Sequence, residues 1–461
     1  MAVFSRIYFT QLERAKRIDS EYYQPKYLTL AELHKRGQWL PIRKYLELCE
    51  YGISIKMNEK GYGQKIFRMD DLKNGFAFDH EMKFAPIDRD TFEKFKLFYN
   101  DILFNRVNSE EFVGRTGIFK LTGDYVFASY LIRLRTNNGM SPDALNLFLN
   151  CKYGILSIRR LSRRAVNQAN VNAQELQSIL MPRFSPDFQE MLTCCSNNSW
   201  TLYAESERLY KQAEQLLLAE LGLQDWKPTH ALTFVKSYSQ AAKAQRIDAE
   251  HFHPKYGELR EHIRRYSNGF LRITDIATNS DETAEPTAQA ENDYRYIELA
   301  DINQVIGTIE SANEIKGKDA PSRARMLLRA GDVITSTVEG SLDKVALVSE
   351  EYDGAIGSTG FFVLRPRNIQ SGYLLALVKS MIVREQMRCE SSGTILAAVP
   401  AKSLRNIIVP NIPPQKREEI AQLVEKSHAA RREAKTLLEK AKRAVEIAIE
   451  ESEDKAMEFI G

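Results

Sequence analysis

Arg17-Ile18-Asp19-Ser20-Glu21-Tyr22-Tyr23-Gln24-Pro25-Lys26-Tyr27 occurs twice in this chain of 461 residues. The second copy is Arg246-Ile247-Asp248-Ala249-Glu250-His251-Phe252-His253-Pro254-Lys255-Tyr256, with Arg, Ile, Asp, Glu, Pro, Lys and Tyr at the same places. One match of this length can arise by chance, so the test is whether other blocks recur at the same offset. They do. Upstream, Phe4-Ser5-Arg6-Ile7-Tyr8 is echoed by Phe234-Val235-Lys236-Ser237-Tyr238. Downstream, Asp71-Leu72 is echoed by Asp301-Ile302, Asp101-Ile102-Leu103 by Asp332-Val333-Ile334, and Ser129 with Leu134-Arg135 by Ser358 with Leu364-Arg365. Leu176-Gln177-Ser178-Ile179-Leu180-Met181-Pro182 matches Leu404-Arg405-Asn406-Ile407-Ile408-Val409-Pro410. The chain is a tandem duplication of a unit of roughly 230 residues, in which a frame of short blocks recurs and the material between them has diverged.

With 43% hydrophobic and 27% charged residues, the composition is that of ordinary globular protein, and the length suits two domains that each bury a core. No apolar run approaches a membrane span and the N-terminus lacks the apolar core of a signal peptide, so a cytoplasmic protein is expected. Cys49, Cys151, Cys389 and the vicinal Cys194-Cys195 show no CxxC spacing, which suits a reducing compartment and predicts no structural metal. The net charge of +3 does not by itself mark a nucleic-acid binder.

In chain order, residues 1–40 read as an amphipathic lead-in ending near Gly37. Tyr51 to Arg135 is strand-rich: Lys65 to Met69 alternates, Phe76-Ala77-Phe78 follows an Asn74-Gly75 turn, and Gly117 to Leu121 precedes a Thr122-Gly123-Asp124 turn. Ser141-Pro142-Asp143 starts a helix, and the spacing of Leu145, Phe148 and Leu149 predicts one buried helix running out at residues 158–164. Gln174 to Met181 begins as a helical turn and ends as a strand stopped by Pro182. From Pro186, Tyr203, Ser206, Tyr210, Ala213, Leu217 and Leu221 share one helix face, which Gly222 ends. In the second half Ala430, Ala434, Leu437, Ala441, Ala444 and Ala448 form a coiled-coil seam of small residues, implying a close approach to the helix of the first half.

With these residues in view, the chain resembles the specificity subunit of a type I restriction–modification system. The resemblance rests on the repeated Arg-Ile-Asp-x-Glu…Pro-Lys-Tyr, the strand start Gly331-Asp332-Val333-Ile334, Gly393-Thr394, and Ile407-Ile408-Val409-Pro410-Asn411-Ile412-Pro413-Pro414-Gln415 leading into a coiled-coil helix. It covers the whole chain. One departure is that Ser185-Pro186-Asp187 stands in the first half where the second has Pro413-Pro414-Gln415. The resemblance implies an α+β fold with two tandem target-recognition domains, residues 1–185 and 226–412, related by pseudo-two-fold symmetry. Two long antiparallel coiled-coil helices, residues 186–225 and 413–461, would separate them. It also implies a bipartite, asymmetric double-stranded DNA target, two methyltransferase subunits and motor–endonuclease subunits as partners, no cofactor, and no catalysis by this chain.

The residues speak to catalysis separately. Asn411-Ile412-Pro413-Pro414-Gln415 is not the Asn/Asp-Pro-Pro-aromatic loop an amino-methyltransferase needs, and no phosphate-binding GxxxxGK[ST] loop is present. Gly354-Ala355-Ile356-Gly357-Ser358-Thr359-Gly360 lacks the lysine and reads as a turn. A rival reading is a metal-dependent nuclease, because Asp71 is followed by Glu81-Met82-Lys83 and Asp301 by Glu314-Ile315-Lys316: two carboxylates could hold a divalent ion and a lysine could orient water. A second rival is a coiled-coil scaffold with no DNA role.

If the chain reads DNA, base-edge donors and acceptors and phosphate-holding cations must do it. In the first half the candidates are Arg68, Lys73, Asn74, Asn105, Arg106, Asn108 and Arg115, with Arg159, Arg160, Arg163 and Arg164 suited to the backbone phosphates. In the second they are Arg295, Asn303, Ser336, Thr337, Lys344, Ser358 and Thr359. The shared Arg17, Asp19, Glu21 and Arg246, Asp248, Glu250 should not read bases, since two halves reading different sequences should differ where they read. They are expected to tie the lead-ins to the long helices or to a methyltransferase docking surface.

Overall fold

The computed structural model of the chain describes residues 4–10, 12, 17–35, 37–109, 112–165, 168–393 and 396–461, with the backbone alone at 164, 165 and 168. It mixes helix and strand and divides into two compact units, Met1–Leu202 with Arg432–Gly461, and Tyr203–Arg431. No helix among the described residues is long and apolar enough to cross a membrane.

The duplication read from the sequence is a duplication of topology. The first unit has a six-stranded sheet in the order Leu46–Tyr51, Leu131–Thr136, Ile102–Asn105, Thr116–Ile118, Phe76–Ala77, Leu72–Lys73. The second has Ala277–Asn279, Phe361–Pro366, Val333–Ser336, Val345–Leu347, Thr308–Ile309, Ile302–Asn303. In both, every neighbour is antiparallel except the fourth pair, Thr116–Ile118 with Phe76–Ala77 and Val345–Leu347 with Thr308–Ile309. A second, smaller sheet holds Tyr125–Phe127 parallel to Gln64–Phe67 in the first unit and Ile356–Ser358 parallel to Asp293–Ile297 in the second. The glycine-rich segment expected as a turn therefore supplies a strand, Ile356–Ser358, with turns on either side of it at Gly354, φ +74°, and at Thr359-Gly360.

Strands buried on both faces lose the polar/apolar alternation of a half-exposed sheet. Val333, Val345, Phe362 and Leu364 point to a core shared with the helix Ser371–Lys379, while Ile334, Ala346 and Val363 point to the core under the smaller sheet. Every residue of Ile102-Leu103-Phe104-Asn105 is buried for the same reason.

The turn expected at Asn74-Gly75 has both residues left-handed, at φ +49° and +72°, as a two-residue hairpin with a type I′ turn requires. The single helix expected after Ser141 is instead two, Pro142–Asn150 and Lys152–Leu161, parted at Cys151 in extended conformation. The second helix folds back tightly enough that a Cβ on Gly154 would lie 2.0 Å from the Phe148 carbonyl oxygen.

The long helices are Pro186–Glu220 and Pro414–Glu450, the first ended by Gly222 at φ +65°. Within the first unit, Ser199 Oγ donates to the Ala434 carbonyl at 2.8 Å and the Ser185 amide meets the Glu453 carboxylate at 3.2 Å. Within the second, Ser427 Oγ donates to the Ser206 carbonyl at 2.6 Å and the Arg431 guanidinium lies on the Tyr203 ring. Rising numbers on one segment meet falling numbers on the other, so the packing inside each unit is antiparallel. Small residues permit it: Ser206, Ala213, Ser427, Ala434, Ala441 and Ala444 are fully buried. The expected seam shifts by one residue at Leu437, which is half-buried where Leu438 is buried, and Leu221 and Ala448 are only partly covered.

Candidate nucleic-acid interface

The repeated motif makes the same clamp twice. Arg17 pairs with Asp19 at 2.7 Å and donates to the Leu161 carbonyl at 3.1 Å; Arg246 pairs with Asp248 at 2.8 Å and donates to the Ser391 carbonyl at 2.6 Å. The carbonyls belong to the C-terminal ends of Lys152–Leu161 and Met381–Glu390, where a helix leaves acceptors unpaired and favours a cation. Each aspartate also accepts a backbone N–H three residues on, from Tyr22 and from His251. The arginine holds Asp19 and Asp248 below the usual carboxylate range, a gain partly offset by desolvation. Pro25 and Pro254 then open helices whose Tyr27 and Tyr256 are buried, and Glu250 accepts from the Tyr256 hydroxyl. Glu21 accepts from Gln24. The lead-ins were expected to be tied to the long helices or a partner; the described bonds of the two arginines run to these shorter helices.

The other shared aspartates are also spent on the frame. Asp101 and Asp332, each 1% exposed, take bidentate bonds from Arg135 at 2.8 and 2.9 Å and from Arg365 at 3.0 and 3.1 Å, and each accepts a backbone N–H. Asp71 accepts the Arg68 amide at 2.6 Å and its guanidinium at 3.2 Å; Asp301 accepts the Glu298 amide at 2.9 Å. Lys83 pairs with Glu59 and Lys316 with Asp293. Asp71 thus spends its carboxylate on the Arg68 amide and guanidinium, and Asp301 on the Glu298 amide and the Ser311 hydroxyl.

Some of the diverged candidates gather at one end of the sheet, and the others do not. In the first unit a small sheet of Arg163–Ala165, Gln168–Asn170 and Val107–Asn108 is added there. It brings Arg106, Asn108 and Arg163 together, with Arg106 Nη1 reaching Asn170 Oδ1 at 3.5 Å, its Nε donating to the Ser129 carbonyl, and its guanidinium on the Tyr51 ring. Arg163 is exposed and pairs with Glu175; Arg159 is exposed at the helix end; Arg160 lies on the Tyr22 ring. The side chain of Arg164, like Thr394 in the second half, lies outside the described residues. Asn105 is buried, donating to the Phe112 carbonyl, and Asn108 donates to Met69 Sδ. Arg68 is held by Asp71 and the Glu81 carbonyl. Lys73 and Asn74 are exposed in the hairpin turn, and Asn74 and Arg115 line a cavity of about 90 Å³ with Glu439 and Lys442 of the C-terminal helix, away from the small sheet.

At the matching place in the second unit, Val338 and Ser392 both bridge Ala398. Ser336, Thr337, Ser358 and Thr359 converge there: the Thr337 hydroxyl donates to the Gly360 carbonyl at 3.2 Å, buried Ser336 and Ser358 accept the Val338 and Gly360 amides, and Thr359 is exposed. Asn303 and Lys344 are turned inward, to Glu310 at 2.7 Å and the Ile302 carbonyl at 3.3 Å. Arg295 is exposed, donating to the Glu351 carbonyl.

Sequence reading missed two buried polar junctions. Lys120, whose side chain is 1% exposed, donates to Asn100, Asp143 and Asn197 at 2.7, 3.0 and 2.9 Å. Arg431 donates to Glu310, while His428 Nε2 lies 2.8 Å from the Ile306 carbonyl. Burial raises the Glu310 pKa, but the Arg431 charge with bonds from Asn303, Arg431 and Thr308 carries it below the ordinary glutamate value. Partners so far apart in sequence leave no local pattern. His251, Cys389 and Glu390 place ligand atoms within 4.8 Å of one another and could meet a metal ion. Each has other work: His251 Nδ1 faces the Cys389 carbonyl, Glu390 holds Arg260 and Asn406, and desolvation pushes the Cys389 thiol up to about 11. All five cysteines are free.

No protein-family profile matches the chain. Over 156 residues it is 24% identical to a protein of Methanocaldococcus jannaschii named "Putative type I restriction enzyme MjaX specificity subunit", covering 33% of this chain and 37% of that one. Over 136 residues it is 26% identical to the type I restriction enzyme EcoKI specificity subunit of Escherichia coli K12, covering 28% and 29%. Among solved structures it is 32% identical to the HsdS subunit of Thermoanaerobacter tengcongensis over 33% of this chain and 40% of that one, with a TM-score of 0.31. The chain thus spans about a third of the length of the curated relatives it matches. The curated matches bear out the resemblance drawn from the repeated blocks.

Proposed function

We propose that this chain is the DNA-recognising specificity subunit of a type I restriction–modification complex. In this reading residues 1–185 and 226–412 are two target-recognition domains related by a pseudo-two-fold, and residues 186–225 and 413–461 are coiled-coil spacers. The chain chooses the site and carries out no chemistry; two methyltransferase subunits and motor–endonuclease subunits act where it binds. The observation that carries the reading is that the matching end of the fold bears Arg106, Asn108 and Arg163 in one unit and Thr337 and Thr359 in the other, while the clamps behind them are the same. Two readers on one frame require shared structure and different contacts. Docking of the same partner twice is supported by Ile18 and Ile247, which lie between the clamped arginine and aspartate and are 89% and 94% exposed.

The test is to express the chain with its methyltransferase and sequence the methylated motif. Exchanging residues ~40–180 for those of a relative should change the bases of one half-site and leave the other unchanged. A change in both half-sites together would reject two independent readers.

A further inference from the structure

The second unit has a cleft of about 1660 Å³ between its lead-in, residues 236–272, and the segment 388–408. Nine lysines and arginines line it against four carboxylates, in a chain whose whole net charge is +3. Three of those carboxylates are neutralised within the fold. Asp248 pairs with Arg246 at 2.8 Å, Glu250 with Lys255 at 3.3 Å, and Glu390 with Arg260 at 3.0 Å; Arg388 is taken up by Glu385. What remains is Lys236, Lys243, Arg264, Arg272, Lys402 and Arg405, all exposed and, among the described residues, without a carboxylate partner, against Glu339 alone. A concave surface lined by one sign of charge concentrates its field and draws the opposite charge from solution.

The cleft runs into the end of the sheet where the diverged residues gather. Glu339, Ser392 and Ala397 line it, and Ser392 bridges the same strand segment as Val338. The repeat provides a further contrast: Lys402 and Arg405 align with Gln174 and Gln177 of the first half, so these two cations are not part of the shared frame.

We infer that this cleft holds the phosphodiester backbone of duplex DNA, with Lys402 and Arg405 as phosphate contacts, and that it is a track the second unit has and the first lacks at these positions. The inference rests on the DNA-recognition reading and adds to it which cations carry the sequence-independent part of binding. Each neutralised phosphate releases condensed counterions, giving a slope of log K against log salt of about −0.9. Two contacts are then worth about two-hundredfold in affinity at 50 mM salt and about 15- to 20-fold at 200 mM.

The experiment uses the full chain and two 40-base-pair duplexes, one carrying the methylated motif and one without it, across a salt series. Lys402→Gln with Arg405→Gln gives the second half the residues of the first. The expected result is a uniform loss on both duplexes, a salt slope shallower by about 2, an unchanged ratio between the duplexes, and an unchanged melting temperature. Gln174→Ala with Gln177→Ala, the matching change in the first half, should leave the salt slope unaltered. Wild-type binding of the motif duplex with an unshifted slope in the Lys402/Arg405 variant would overturn the cleft while leaving the DNA reading intact. Wild-type chain that binds neither duplex at low salt would overturn both. A changed ratio between duplexes would also overturn it, since phosphate contacts carry no sequence information.

Discussion

Lys120→Met should destabilise the first unit strongly, and the reason can be counted atom by atom. The lysine side chain and its partner Asp143 are each 1% exposed, and Lys120 Nζ uses its three donors on Asn100, Asp143 and Asn197. Removing the ammonium leaves a carboxylate and two amide oxygens facing the inserted methyl group. Breaking a buried ion pair from one side costs ~3–5 kcal/mol, because the surviving charge keeps its desolvation penalty and loses its compensation. For a unit of this size a loss of 1 kcal/mol lowers the melting temperature by ~2–4 °C, so a drop of about 6–20 °C is expected. Differential scanning calorimetry of the full chain is the assay, with Lys120→Met/Asp143→Leu beside the single variant. Removing both charges should recover most of the loss, since a buried pair is worth little against an apolar replacement of similar volume. A single variant melting within 2 °C of wild type, or a double variant worse than the single, would refute the account.

Two further outcomes can be checked. Asp19 and Asp248 have folded pKa values below their unfolded ones, so their clamps contribute stability that is present above about pH 4, the ordinary aspartate value, and is lost as pH falls through the depressed folded values; Asp19→Asn with Asp248→Asn should flatten the acid limb of a stability–pH curve below about pH 4, measured by urea unfolding. Four residues inserted after Leu202 together with four after Arg431 leave the pairings Ser199–Ala434 and Ser206–Ser427 intact within their own units and lengthen both helices by ~6 Å with ~40° of turn; in the proposed assembly the methylated motif should keep its half-site bases and gain one or two unspecified base pairs.

Local chemistry made the frame legible. Ser141-Pro142-Asp143 announces a helix start, Asn74-Gly75 a hairpin, Gly222 a helix stop, and the small residues at Ser206, Ala213, Ala434 and Ala441 a close helix packing. What escaped is long-range or depends on rotation about a strand. Nothing near Arg17 or Arg246 says that its acceptors are carbonyls well over a hundred residues later, and nothing near Lys120 points to Asn197. Asn105 and Ser336 read as base contacts because of their residue type, but they close strands buried on both faces and spend their polar atoms on the adjoining loops. The break at Cys151 escaped because apolar spacing continues through it on both sides.

The residues kept between the two halves share a physical task. Asp19, Asp71, Asp101, Asp248, Asp301 and Asp332 each accept the backbone N–H of a tight turn, and in five of the six an arginine bonds the same carboxylate. The turns at Asp71, Asp101, Asp301 and Asp332 adjoin buried strands and carry donors screened from water, each of which costs ~1–3 kcal/mol if left unpaired. Carboxylate acceptors are therefore hard to lose, and an arginine that anchors one to a neighbouring strand or helix end fixes the direction in which the turn leaves the sheet. Fixing the ends of the loops in this way lets the side chains between them vary at little cost to the fold. That explains why divergence concentrates in the edge that holds Arg106, Asn108 and Arg163 in one unit and Thr337 and Thr359 in the other. It also sets the order in which substitutions should act: a change at a clamp is felt first as lost stability, and a change at the edge first as altered target.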